Sequence, residues 1–190
     1  DYTDTINPIT VPLYTVPNVG DVVRPGDLSA PNVPSMDADA FGKIGKVGLG
    51  DIDLSDDENT LWTINLFNRT LVRVDDILTN PTSTELTITS APNCGHGVFR
   101  PLGVKAYRNK IYVGGVCTGE NNGTSMDLTA SIHEYNVKTG TWKMILDWDL
   151  HAPEYNHGDI VGSVNQNLAQ CREWETWVDV YTERNLVANT

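Results

Sequence analysis

One order of short runs and turns occurs twice in this chain, and few folds are compatible with that. Asp51-Ile52-Asp53-Leu54 alternates polar and apolar residues, the period of a half-buried strand. The turn formers Ser55 to Thr60 follow, then Leu61-Trp62-Thr63-Ile64-Asn65-Leu66, a turn at Asn68-Arg69, Thr70-Leu71-Val72-Arg73-Val74-Asp75 and finally Thr84-Glu85-Leu86-Thr87-Ile88-Thr89. The order then recurs. Leu102-Gly103 stands 53 positions after Leu49-Gly50, and Ile111-Tyr112-Val113 stands 50 positions after Leu61-Trp62-Thr63. Arg108-Asn109 replaces the longer first turn. Ile132 to Val137 follows an inserted loop at 118–130, and a turn at Lys138-Thr139-Gly140 leads into Thr141 to Leu146.

Helical periodicity is scarce, whereas 16 Gly and 10 Pro punctuate runs rich in Val, Ile, Thr, Tyr and Trp. The expected fold is therefore all-β. A four-stranded antiparallel unit recurring at about 40 to 50 residues is the pattern of β-propeller-type blades. Two unrelated meanders in a sandwich would share part of it. Two units are fewer than the about four blades a closed ring needs, so the expectation is an incomplete propeller or a fragment. The divisions read as residues 1–40, an edge strand (Ile9 to Val16) of a preceding blade with a long loop; 41–92 and 93–150, one blade each; and 151–190, a linker toward a next blade. Pro12 removes an amide donor, which confines its strand to an edge.

The net charge of −12 sets the surface against nucleic-acid phosphates and anionic lipid. No apolar run reaches the about 18 residues that would span a membrane, so no membrane insertion is expected. The opening DYTDTINP carries no basic and apolar leader, which is read as a leader already removed from a longer product. Cys94 sits in a loop and Cys117 ends an apolar run. A bridge between them and two separate thiols are equally compatible with the sequence, and Cys171 stands apart.

Between Asp51 and Glu58 stand five acidic side chains. As an EF-hand the stretch fails, since Asp56 takes the glycine position and Trp62 that of the bidentate Glu. Two readings remain: a hairpin tip, and an irregular calcium site built from Asp51, Asp53, Asp56 and Asp57. No cofactor is expected, unless calcium binds at this stretch. Asp51 and Asp53 share one strand face. They face either a central channel, where they could bind a cation, or neighbouring backbone. His151, Glu154, His157 and Asp159 cluster without the fixed spacing of a zinc site. No Gly-x-Ser-x-Gly elbow or Walker loop occurs, and no catalytic residue is assigned. Trp62 and Trp142 lie at strand positions where packing needs bulk. Trp174 and Trp177 lie outside the blade pattern, in a stretch read as a short helix, and are the candidate ligand-binding aromatics.

The stretch AFGKIGKVGLGDIDLSDDENTLWTINLFNRTLVRVD, followed by RPLGVKAYRNKIYVGGVCTGE, resembles a group of large secreted bacterial proteins. These carry an N-terminal β-propeller, often ahead of adhesin-like or B-type surface modules. The resemblance covers residues 38–150. It implies export, a cell-surface or extracellular place, and no known catalytic residues. The function expected is a non-enzymatic module for surface attachment or assembly, with other surface proteins or glycans as partners. Two alternatives are a divalent-metal hydrolase or lactonase-like propeller using Asp51 and Asp53, and a structural subunit of an extracellular filament or sheath.

Overall fold

The structure, a computed structural model, describes residues 14–22 and 38–150. It is all-β apart from one short helix, α1 (Ala38–Lys43), and a single 3-10 turn at Ser125–Asp127. Strands β1 (Leu49–Leu54), β2 (Leu61–Asn65), β3 (Thr70–Asp75) and β4 (Thr82–Leu86) form one antiparallel meander. Strands β5 (Phe99–Tyr107), β6 (Lys110–Cys117), β7 (Thr129–Asn136) and β8 (Thr141–Asp149) form a second.

Turn chemistry sets the hairpins. The Oδ1 atom of Asn65 accepts from the amides of Phe67 and Asn68, both at 3.1 Å. Asn136 Oδ1 does the same for Lys138 and Thr139, at 3.0 and 3.2 Å. Each side chain thus folds the chain back two or three residues on, as Asx turns do. The left-handed position that completes each turn falls on Arg69 (φ 58) in one and Gly140 (φ 68) in the other.

One face of the first sheet packs on one face of the second. Trp62, Ile64 and Leu71 meet Val104, Ile111, Val113 and Tyr135 in a shared core. Gly50 lies at the closest approach, where a Cβ would stand 2.8 Å from the Leu102 carbonyl oxygen and 3.1 Å from Ile64 Cβ. A second cluster closes the opposite face of the first sheet, where Val16 packs with Val72, Val74 and Ile77.

The sheets stack head to tail. In both, the first strand is bulged, with Leu49 opposite Asn65 in one and Pro101 opposite Gly115 in the other. Matching these ladders makes Trp62 the counterpart of Tyr112, and Ile64 that of Gly114. The first sheet turns Trp62 and Ile64 toward the junction. The second turns their neighbours in parity, Ile111 and Val113, toward it and leaves Tyr112 and Gly114 on its far face.

Several expectations are corrected here. The matched ladders set Leu49 against Pro101, one residue from the Leu49–Leu102 match read in the sequence. That match followed leucine identity, whereas the bulges set the true register. β4 is Thr82–Leu86 rather than 84–89, because Asp75 pairs with Thr82 directly after the turn. The loop read as running to residue 40 ends in α1, whose Lys43 bonds Asp39 at 2.9 Å, an i,i+4 pair that favours helix. Residues 14–16 form no strand, and the rest of the strand read at 9–16 lies outside the described residues.

Candidate functional site

The acidic stretch is a β-hairpin tip. Ser55 and Thr60 close it, with the Ser55 amide donating to the Thr60 carbonyl at 2.9 Å and the Thr60 amide to Ser55 Oγ at 3.0 Å. The Ser55 hydroxyl also donates to Asp57 Oδ1 at 2.6 Å, and the Asn59 amide reaches the same oxygen at 3.2 Å. These two bonds hold the Asp57 carboxyl below its usual range. Glu58 takes the left-handed position, φ 57. Asp56 is exposed.

Asp51 and Asp53 leave the tip and reach the second sheet. Asp51 Oδ2 accepts from the Val104 amide at 3.1 Å, and its Oδ1 from the amide of Ile52 at 2.9 Å. Asp53 Oδ2 accepts from the Ala106 amide at 2.7 Å and pairs with Lys105 Nζ at 2.9 Å. Burial alone would raise the Asp53 carboxyl; the Lys105 ammonium and the Ala106 amide outweigh it, and the group sits below its usual range.

The physical reason lies in the strand edge. β5 is paired with β6 on one side only, and its two-residue turn Arg108-Asn109 fixes which amides face β6. Those of Val104 and Ala106 face the other way and would be unpaired donors at a buried junction. Two carboxylates at alternate positions of β1 meet two amides at alternate positions of β5. The pair also shows that β1 and β5 run parallel, since Asp51 meets Val104 and Asp53 meets Ala106. Of the two expectations for this face, neighbouring backbone is the one that these bonds display.

Among the described residues no three His, Cys, Asp or Glu side chains converge as a metal group would require. Asp51 and Asp53 are turned toward β5, and Asp57 is folded into its own turn. An open cleft of about 480 Å³ lies between the two hairpin tips, lined by Asp56, Asp57, Arg73, Arg108 and Asn109 over Trp62. Its charges are mixed. The Arg73 guanidinium lies over the Trp62 ring, 5.7 Å from the centroid, and bonds Asp75 at 2.8 Å.

A disulfide joins Cys94 to Cys117. It ties the segment before β5 to the end of β6, beside the loop at 118–128. That loop holds Glu120, which takes a two-pronged bond from Arg100 (2.7 and 3.2 Å) and lies 3.5 Å from Lys46. Sequence reasoning missed this ion cluster, because Lys46, Arg100 and Glu120 are far apart in the chain and share no motif. It also missed His133. That ring is fully buried, with Nδ1 2.7 Å from Ser90 Oγ and Nε2 2.9 Å from Ser131 Oγ. Burial holds its pKa below the usual value.

Trp62 is buried, and Trp142 packs against the same core. Trp174, Trp177, Cys171 and the His151–Asp159 cluster lie outside the described residues. No helix among the described residues is long and apolar enough to cross a membrane. No family model, curated protein or solved structure matches this chain.

Proposed function

We propose that this chain is part of a propeller-type, non-enzymatic extracellular module that serves surface attachment or assembly through contacts with other surface proteins or glycans. The observation that carries the reading is the use of Asp51 and Asp53. The two carboxylates best placed for chemistry hold one sheet to the next instead. Head-to-tail stacking with parallel inner strands supports the propeller-type architecture, since adjacent blades of a propeller are related in that way. The Cys94–Cys117 disulfide supports an oxidising compartment. The long loop at 118–128, pinned at one end by that bridge, has exposed Met126 and suits contact rather than enclosure.

The test is binding against catalysis on one preparation. The purified full chain is applied to arrayed glycans and surface proteins, and in parallel to lactone and ester substrates with and without calcium. Saturable, calcium-independent binding with no turnover is expected. Turnover that needs calcium and is lost in Asp51→Asn would sink the reading and leave the hydrolase alternative.

A further inference from the structure

The cleft between the two hairpin tips follows from how the sheets stack. β1 and β5 run parallel, so the tip at Ser55 to Thr60 and the turn Arg108-Asn109 emerge at the same end, side by side. The open space between them, about 480 Å³, is of the size that holds small ligands.

Its floor is apolar. Trp62 and Ile111 lie beneath it, 2% and 1% exposed, with Val137 beside them. Its walls carry polar groups that no described residue bonds. Arg108 stacks on the Tyr107 ring, 5.1 Å from the centroid, and among the described residues meets no carboxylate. The Arg73 guanidinium gives Nε to Asp75 and keeps its terminal nitrogens open toward the cleft. Asn109 gives its carbonyl to the Val137 amide at 3.0 Å, and its side-chain amide stays open. Asp56 is exposed and meets no cation among the described residues. The backbone adds a further sign. Arg108 has φ 55, a conformation that glycine takes without strain and that hairpin turns of this length usually give to glycine or asparagine. A long cation stands there instead.

The balance of charge selects the ligand. An anion would meet Asp56, Asp57 and the chain's net charge of −12, and a cation would meet both guanidinium groups. A neutral ligand rich in hydroxyls meets neither cost. Each hydroxyl both donates and accepts, whereas guanidinium groups only donate and a carboxylate only accepts. The C–H face of a sugar ring also matches an apolar floor with a few polar groups around it.

We infer that this cleft binds a neutral hexose unit of a glycan. Arg73, Arg108 and Asn109 donate to its hydroxyls, Asp56 accepts from them, and its C–H face lies over Trp62, Ile111 and Val137. The inference rests on the reading of this chain as a module that contacts glycans, and gives that reading a place and a ligand class.

The full chain, in the presence of a chelator, is applied to arrayed oligosaccharides. Neutral ones end in glucose, galactose, mannose or N-acetylglucosamine, and acidic ones carry sialic or uronic acids. Saturable binding to neutral glycans is expected. The strongest neutral binder is then titrated by calorimetry into wild type, Arg108→Ala and Asp56→Ala. Both side chains are exposed, so both substitutions spare the core. Each removes a charge-assisted bond and should weaken binding about tenfold or more. Unchanged affinity in either variant would overturn the inference, as would binding to acidic glycans alone or binding that appears only when calcium is supplied. Failure to bind any glycan would overturn it too. Saturable binding of a surface protein in that case would leave the attachment reading standing, whereas calcium-dependent turnover of a lactone or ester would remove both.

Discussion

Removing the Asp53 carboxylate should loosen the joint between the sheets. In Asp53→Ala the Ala106 amide loses a charge-assisted acceptor at 2.7 Å. Bonds of this kind are worth about 1.5 to 3 kcal/mol, the upper end when the donor is left dry. Ala106 is 6% exposed, but the Asp53 side chain is 22% exposed, so water would reach part of the vacated space. The Lys105 partner is 71% exposed, and such pairs contribute at most about 1 kcal/mol. The expected loss is therefore about 2 kcal/mol, or roughly 8 °C in Tm for a core of this size. Asp53→Asn keeps an acceptor oxygen without the charge and should cost about half as much. Asp56→Ala, at the exposed tip, should stay within about 0.5 kcal/mol of wild type. Urea melts of the three variants, run with and without 1 mM calcium, check all of this. A calcium site with a Kd near 10 μM would stabilise wild type by about 2.7 kcal/mol at that concentration. Such a gain, absent in Asp53→Ala, would refute the structural reading of this carboxylate, as would an alanine variant as stable as wild type.

Other outcomes follow from the same geometry. The Cys94→Ala/Cys117→Ala variant frees a sequence separation of 23 residues and should lose about 3 kcal/mol in non-reducing urea melts, with no further loss on adding a reductant. Glu120→Gln leaves the Arg100 guanidinium, only 8% exposed, beside a neutral partner and should cost about 3 kcal/mol in the same assay. His133 is neutral and depressed in the fold, so the unfolded chain binds its proton first as pH falls. Stability is full above the ordinary histidine value of about 6.5 and should drop by up to about 1.4 kcal/mol at one unit below it. His133→Gln, compared with wild type between pH 7.5 and 5.5, should lose that slope. Asp53 acts in the opposite quarter of the scale: its contribution is present above about pH 4 and is lost as pH falls through its lower folded value, which a melt series in acid checks against Asp53→Asn.

Alternation and turn residues were enough to place most of the elements. Thr70 to Asp75 was legible as a short β-branched run between turn formers, although both its faces are buried, Leu71 toward the second sheet and Val72 and Val74 toward Val16. The hairpin at Ser55 to Thr60 was legible for the same reason: turn formers between two alternating runs leave the chain little else to do. Cys94 and Cys117 were found as a pair, but not as a bond, because a bond depends on how the loop before β5 lies against the end of β6. The role of Asp51 and Asp53 stayed between two readings, a channel and neighbouring backbone. Their spacing put them on one face, and a face lining a channel and a face meeting a strand edge have the same sequence. The bulges at Leu49 and Pro101 set the ladders, and the parallel run of β1 and β5 set the amides of Val104 and Ala106 before two carboxylates 53 positions away in the chain. Local periodicity decided that strands form and in what order. Only the stacking of one sheet on the next decided that an acidic pair resembling a cation site would satisfy an unpaired strand edge.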